Sequence, residues 1–297
     1  MASQGRALIT GIRGFTGVYL ASELERAGYE VCGLGLGAGD EPGYFRADLD
    51  KPEELKSVMD VVRPDVVIHL AALAFVGHGN ADDFYRVNLV GTRHLLEAIA
   101  QAPEQPRCVL LASSANVYGN ASTGVLDEEV QPSPANDYAV SKLAMEHMAA
   151  LWRDKLPLVI TRPFNYTGVG QGKEFLLPKI VEHFRNRADV IELGNLDVSR
   201  DFSDVRTVAH VYRRLLEHPD AIGGTYNVCS GQAVSLQTII AMCSEITGHD
   251  LQVRVNPAFV RSNEVKQLRG DNARLHTLLG DWETRSLRQT LQWMLDS

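Results

Sequence analysis

The strongest constraint in this sequence is an alternation. Five short apolar runs (Arg6–Thr10, Glu30–Leu34, Val66–Leu70, Cys108–Ser113 and Leu158–Arg162) are spaced by stretches of helical period at roughly Phe15–Ala27, Glu53–Val62, Ala81–Gln101 and Tyr138–Arg153. Runs of apolar residues without polar interruption suit strands buried on both faces. Strand and helix in repetition imply a parallel sheet covered on both sides, an α/β doubly wound architecture. Asp50, Pro52, Glu53 and Glu54 make a good helix start, because acids and an early proline suit the first turn. After Pro163 the rhythm loosens. Helices are expected at Phe175–Ala188, Thr207–His218, Ser235–Thr247 and Ser286–Leu295, with short strands at Val190–Leu193, Val198–Phe202, Thr225–Val228 and Leu251–Val255.

Gly11, Gly14 and Gly17 form a G-x-x-G-x-x-G run directly after the first strand, with a helix opening behind it. Glycines there let the backbone approach a pyrophosphate, and the helix N-terminus offers free N–H groups. Residues 1–163 are therefore expected to form a dinucleotide-binding domain of Rossmann type. Residues 164–297 are expected to form a smaller α/β substrate-binding region, with parts returning to the sheet. An acid ending the second strand would bind the ribose hydroxyls of NAD. Here that stretch reads Leu34-Gly35-Leu36-Gly37, and Asp40 and Glu41 come late, as solvated loop residues. Arg13, inside the glycine run, could meet the extra phosphate of NADP. NADP(H) is favoured, with NAD(H) the alternative.

Tyr138 and Lys142 lie four residues apart, on one face of a helix. A tyrosine titrates near ~10, and bringing it to about 7 needs roughly 4 kcal/mol. One positive charge at about 4 Å supplies roughly that much at an effective dielectric near 20. Ser114, at the end of the fourth strand, lies where open α/β sheets present ligand-contacting residues, and its hydroxyl could polarise a carbonyl oxygen. The net charge of −8 and the pI of about 5.6 argue against a nucleic-acid partner. The four cysteines form no CxxC pair and are expected to be buried and reduced, so no metal site is expected. No run of about 18 apolar residues or signal core is present, so a cytoplasmic protein without a membrane partner is expected.

Taken in order, T-G-I-R-G-F-T-G (10–17), Asp48-Leu49, H-L-A-A (69–72), V-N-L-V-G-T (87–92), S-S-A-N-V-Y-G (113–119), Y-A-V-S-K (138–142) and R-P-F-N (162–165) resemble the extended short-chain dehydrogenase/reductase family over essentially the whole chain. The resemblance implies that the turn residues, Phe15 and Thr16 included, cradle the cofactor. It also implies that Asp48 and Leu49 flank the adenine and that Leu70, Ala71 and Ala72 line the cofactor. Ser114, Tyr138 and Lys142 would be catalytic, with Tyr138 and Lys142 against the nicotinamide.

The segment E-L-G-N-L-D-V-S-R-D-F (192–202) and R-S-N-E-V (261–265) resemble those of the GDP-mannose 4,6-dehydratases and the related 4-ketoreductases, although serine replaces a proline in the second. By that resemblance Arg200 and Arg261 would hold the pyrophosphate, Glu264 the ribose, Asn165 the phosphate or sugar, and Lys179 the nucleotide end. The alternative for Arg200 is a local ion pair with Asp201. In the dehydratase pattern a glutamate base stands two residues before Tyr118-Gly119. Here that position is Asn116, which would face the substrate, and an amide is no base at neutral pH. The expectation is NADPH-dependent reduction of a GDP-linked 4-keto-6-deoxyhexose, giving GDP-D-rhamnose or its C4 epimer. The other readings are a dehydratase or 4-epimerase that retains its nicotinamide, and a non-catalytic dinucleotide sensor. His69 reads as a core histidine and His78 as a loop residue. Leu95, Leu96, Ile99, Ala139, Leu143 and Met148 read as core, part of which could be a homodimer seam, since relatives pair through these helices as a four-helix bundle.

Overall fold

The apolar runs of the first half pair side by side, as their two-sided burial requires. The computed structural model describes residues 4–75, 79–119, 124–259 and 266–297. Along the chain run β1 (Arg6–Thr10), α1 (Phe15–Arg26), β2 (Glu30–Gly35), β3 (Tyr44–Arg46), α2 (Pro52–Val62), β4 (Val66–His69), α3 (Ala81–Phe84), α4 (Thr92–Gln101), β5 (Cys108–Ala112), β6 (Gly124–Leu126), α5 (Asp137–Ala150), β7 (Leu158–Pro163) and β8 (Asn165–Thr167). Then come α6 (Leu176–Arg185), β9 (Val190–Leu193), β10 (Ser199–Asp204), α7 (Val205–Glu217), β11 (Thr225–Val228), β12 (Ala233–Ser235), α8 (Leu236–Thr247), β13 (Gln252–Val255), β14 (Gln267–Gly270), α9 (Ala273–Leu279) and α10 (Leu287–Leu295).

Seven strands form one parallel sheet in the order β11-β7-β5-β4-β1-β2-β3. The architecture is a Rossmann-type sheet with a smaller C-terminal α/β region. The chain winds from β1 towards β3 and then restarts at β4 on the other side of β1. The crevice at that reversal, beyond the strand ends, is where such sheets bind ligands. One face of the sheet packs on α1 and α7 through Leu20, Leu24, Val208 and Tyr212, and the other packs on α2, α4 and α5 through Leu55, Leu95 and Met145. A separate core between α6, α8 and α10 holds Ile180, Ile239 and Leu291. There β10 carries β8, β12 and β14 as partners, and β6 pairs with β14.

Several elements differ from expectation. The short strands β3, β6, β8, β12 and β14 and the helix α9 are not among the expected elements, and β3 pairs with β2 from Gly33↔Tyr44 to Gly35↔Arg46. The helix expected over 81–101 has a π-helical stretch, Tyr85–Gly91, at its middle. There the Asn88 amide bonds both backbone groups of Leu73 and the Ser141 hydroxyl, and Gly91 lies so close to Leu49 that a Cβ would approach within 2.8 Å. Single π turns inside α-helices often mark functional sites.

All four cysteines are buried and unpaired. Leu95, Leu96, Ile99 and Ala139 are fully buried within the chain, so they are core and cannot form a seam; Leu143 and Met148 are half-buried, and Val90, Val140 and Leu151 are among the apolar residues exposed on this side. Among the described residues no helix is long and apolar enough to cross a membrane.

Candidate active site

The phosphate turn begins where β1 ends. Gly11 takes φ +74 and donates its N–H to the Leu34 carbonyl, and a Cβ on it would lie 2.9 Å from the Ala71 nitrogen. At Gly17 a Cβ would come within 2.4 Å of the Gly11 and Ile12 carbonyl oxygens. These glycines let the turn fold tightly onto the start of α1. No side chain caps α1, whose N-cap is Gly14, so its first-turn N–H groups meet the crevice without a side-chain competitor. Across the crevice, Leu70 and Ala71 donate backbone N–H groups to the Thr10 carbonyl and hydroxyl, at 3.2 and 3.1 Å. Leu70, Ala71 and Ala72 are each half-buried at the end of β4, Leu49 is buried and Asp48 half-buried. This cradle fits a dinucleotide. Arg13 projects from the turn onto the loop after β2, where its guanidinium lies 3.7 Å from the Tyr44 ring centroid. Glu41 is exposed, as expected of a loop residue, yet it is not merely solvated: its carboxylate accepts from Arg13 at 2.5 Å.

His69 is a satisfied core histidine. Its Nδ1 lies 2.7 Å from the Thr10 hydroxyl and its Nε2 lies 2.8 Å from that of Thr92. Thr92 donates its proton to the Asn88 carbonyl, so it must accept from Nε2–H, and Thr10 is left to donate to Nδ1. Burial holds the imidazole neutral, pushing its pKa down to about 3.

Ser114 lies two residues beyond the end of β5 and caps the 3₁₀ turn Ala115–Tyr118. Its hydroxyl accepts both the backbone N–H and the side-chain amide of Asn116, each at 3.2 Å. Asn136 caps α5 by accepting the Ala139 N–H at 2.9 Å, which places Tyr138 in the first turn. Both Tyr138 and Lys142 are buried on the inner side of α5. Burial pushes the tyrosine up to about 12, partly offset by a hydrogen bond with Ser114. Burial also pushes Lys142 down to about 8, opposed by Glu146 one turn further on. The lowering of the tyrosine pKa expected from Lys142 is therefore not developed in this geometry. The ammonium is turned onto the Ala112 carbonyl at 2.7 Å, and desolvation dominates at Tyr138.

Behind this set lies a polar network that sequence reasoning missed. Glu146 accepts a short bond from Ser113 and pairs with Arg162 at 2.7 Å, both partners less than a tenth exposed. Arg162 also donates to the Tyr118 hydroxyl, which donates to Asn227 on β11. An arginine inside the apolar run L-V-I-T-R was the available signal, since a buried cation needs a partner. Tyr166 was missed too: its ring stacks on Phe15 with centroids 6.0 Å apart, and its hydroxyl bonds Thr16 at 2.8 Å.

The residues expected to hold the nucleotide-sugar lie on the C-terminal region. Asn165 starts β8 and donates to the Asp201 carbonyl at 3.2 Å. Arg200 sits on β10, half-buried, donating to the Ser199 carbonyl. Asp201 turns inward, accepting the Ser230, Gly231 and Gly270 N–H groups and the Ser230 hydroxyl. Its role is thus to fasten β10 to the segment that follows β11. Lys179 on α6 donates to the Glu192 carbonyl and lies 4.8 Å from the Phe259 ring. Arg261, Glu264 and His78 lie outside the described residues. No cluster of metal-ligating side chains occurs among the described residues. A cleft of about 720 Å³ between α1 and α7 takes none of the residues discussed as catalytic; its arginines are paired, Arg26 and Arg213 with Glu23, Arg206 with Asp204 and Arg285 with Glu283.

A Rossmann sheet, a glycine-lined phosphate turn at the switch point and a buried serine–tyrosine–lysine constellation define an NAD(P)-dependent enzyme of the extended short-chain dehydrogenase/reductase class. Residues 8–294 match the family model described as GDP-mannose 4,6 dehydratase, and the chain belongs to that family. It is 36% identical over 291 residues to GDP-6-deoxy-D-talose 4-dehydrogenase of Aggregatibacter actinomycetemcomitans, covering 97% of this chain and 96% of the relative. It is 35% identical over 301 residues to GDP-6-deoxy-D-mannose reductase of Pseudomonas aeruginosa, covering 98% and 96%. The crystal structure of a Burkholderia cenocepacia J2315 protein, provisionally termed an epimerase, superposes with a TM-score of 0.93 at 49% identity, covering 100% of this chain and 98% of that one. Solved structures at 32% and 27% identity hold NADPH and NAD respectively. The chain is a nucleotide-sugar-modifying enzyme of the reductase, epimerase and dehydratase group.

Proposed function

We propose that this enzyme reduces the C4 keto group of a GDP-4-keto-6-deoxyhexose, GDP-4-keto-6-deoxy-D-mannose, using NADPH. The product is GDP-D-rhamnose or, if hydride arrives on the opposite face, GDP-6-deoxy-D-talose. The observation that carries this reading is Asn116. Its amide bonds Ser114 at the strand end, at the position where a dehydrating enzyme would need a carboxylate to take a proton from carbon, and an amide cannot do so. The two curated relatives above, whose names refer to 6-deoxy GDP-sugars and to dehydrogenase or reductase activity, agree with it.

The bound cofactor supplies the hydride that reaches the keto carbon. Ser114, steadied by Asn116, donates a hydrogen bond to the carbonyl oxygen and polarises it. Tyr138, held protonated by burial, passes its proton to that oxygen as negative charge develops there, and the alkoxide is a stronger base than the phenolate left behind. Lys142, one helical turn away, would bond the cofactor ribose and, on leaving the Ala112 carbonyl that it bonds in this geometry, would offset the phenolate charge. Gly11 to Gly17 hold the pyrophosphate, Arg13 the 2′-phosphate, Asp48 and Leu49 the adenine, and Leu70, Ala71 and Ala72 the middle of the cofactor. Arg200, Asn165, Lys179, Arg261 and Glu264 hold the GDP portion. The same reading includes a homodimer paired through the outer faces of α4 and α5, where Val140 and Leu151 are exposed; a monomer in sedimentation at micromolar concentration would remove it.

The test is NADPH consumption with GDP-4-keto-6-deoxy-D-mannose generated in situ by a separate dehydratase. One NADPH consumed per sugar is expected, at a rate at least about a hundredfold lower in Tyr138→Phe, and NMR of the product fixes C4. Turnover of GDP-mannose by this protein alone, or sugar conversion without net NADPH loss, would replace the reading by dehydratase or epimerase.

A further inference from the structure

We propose that Glu41 competes with the 2′-phosphate of NADP(H) for Arg13 and so tempers the enzyme's preference for the phosphorylated dinucleotide. The proposal rests on the reading of Arg13 as the 2′-phosphate ligand and adds a residue that opposes it.

The loop after β2 is built around the Arg13 guanidinium. One face of that group lies on the Tyr44 ring, 3.7 Å from its centroid. Its Nη1 donates to the Ala38 carbonyl at 2.8 Å, and its Nη2 donates to Glu41 at 2.5 Å. Tyr44 is itself tied to the loop, donating its hydroxyl proton to the Gly37 carbonyl at 3.0 Å. Gly37 and Gly39 allow the close approach: a Cβ on Gly39 would lie 1.9 Å from Nη2, and one on Gly37 would lie 3.0 Å from Nη1. Stacking and the Ala38 carbonyl thus fix the plane of the guanidinium and leave one fork edge for an anion. The guanidinium lies against the loop that leaves the end of β2, the strand end beside which such sheets place the adenosine ribose. Glu41 holds the fork edge.

A dianionic phosphate is a better partner for a fixed fork than a single carboxylate, because it offers more charge and more oxygens. The Arg13–Glu41 pair is open to solvent, with side chains 42% and 67% exposed, so exchanging one anion for the other carries little desolvation cost. Exchange still forfeits the Glu41 bond and leaves its carboxylate near the phosphate. NADP(H) meets both penalties, whereas NAD(H), with a plain hydroxyl, meets neither. Glu41 therefore narrows the gap between the two cofactors.

The experiment measures Kd for NADPH and NADH on the full chain by nicotinamide fluorescence, for wild type, Glu41→Gln and Arg13→Gln, at low and moderate salt. Glu41→Gln is expected to tighten NADPH about two- to fivefold, the upper part of the range of an exposed ion pair, and to leave NADH unchanged. The gain should shrink as salt rises. Equal changes for both cofactors, or weaker NADPH binding in Glu41→Gln, would overturn the competition while leaving the Arg13 reading intact. If Arg13→Gln weakens NADPH no more than NADH, the phosphate reading of Arg13 fails and the proposal falls with it. Both outcomes are read from binding alone, without turnover, so the reductase reading stands or falls separately.

Discussion

His69 should set much of the acid limit of this fold. The neutral ring sits between two threonine hydroxyls, and protonating Nδ1 would turn an acceptor into a second donor facing Thr10. Its pKa is about 3 in the folded protein against 6.5 for a free side chain, burial being the main cause and the Lys142 charge the lesser one. Because the folded value is depressed, the unfolded chain binds a proton below pH 6.5 that the folded chain refuses. Stability from this residue is thus present in full above pH 6.5, falls as pH drops below it, and is exhausted near pH 3. Between pH 7 and 4.5 the loss is about 2.5 kcal/mol, from roughly 1.36 kcal/mol per unit. Urea unfolding of wild type and His69→Gln at both pH values isolates this share, because the titrating carboxylates are common to both proteins. The pH-dependent loss should be smaller in His69→Gln by about 2–3 kcal/mol, whatever its stability at pH 7. Equal losses in the two proteins would refute the argument and assign the acid limb to carboxylates.

Other perturbations test other layers. Arg162→Leu should destabilise by about 3–5 kcal/mol by stranding the buried Glu146 carboxylate, whereas Glu146→Leu with Arg162→Leu should cost far less in urea unfolding. Gly17→Ala would gain about 1 kcal/mol from helix propensity alone, yet the contact with the Gly11 and Ile12 carbonyls predicts net destabilisation and at least tenfold weaker dinucleotide binding by fluorescence titration. Asp201→Asn should cost about 2–4 kcal/mol in thermal or urea unfolding, since both carboxylate oxygens accept two donors and one would be replaced by an NH₂ group.

What the sequence shows depends on how local the cause is. The main parallel strands and α7 are visible because a buried strand or an amphipathic helix writes its own period. Strands β3, β6, β8, β12 and β14 have three or four residues each and no period to read; their pairing comes from the neighbours they meet. The π-helical stretch was hidden for the same reason, since Asn88 reaches across to Leu73 and Ser141, far along the chain. The glycine turn was legible because steric need selects one residue type. The lysine–tyrosine relation was legible as spacing but not as electrostatics: where the ammonium points depends on the Ala112 carbonyl, which no helical wheel contains.

The buried network explains how two halves of the chain can serve one reaction. Ser113 and Ser114 are neighbours at the strand end with opposite duties. Ser114 meets Tyr138 and Asn116, while Ser113 is tied to Glu146, which lies one turn beyond Lys142 on α5. Glu146 passes the constraint to Arg162 on β7, then through Tyr118 to Asn227 on β11, which also bonds the backbone of Leu126 and Asp271. Every link is a short polar contact inside the protein, where an unpaired group costs more than at the surface. The register of α5 against the sheet is therefore specified by directional bonds as well as by packing. In the proposed reduction the strand-end serine and the helix tyrosine would share one oxygen atom, and an α5 held by apolar contacts alone could slide at small cost. A charge pair less than a tenth exposed is a poor way to gain net stability and a good way to forbid that slide.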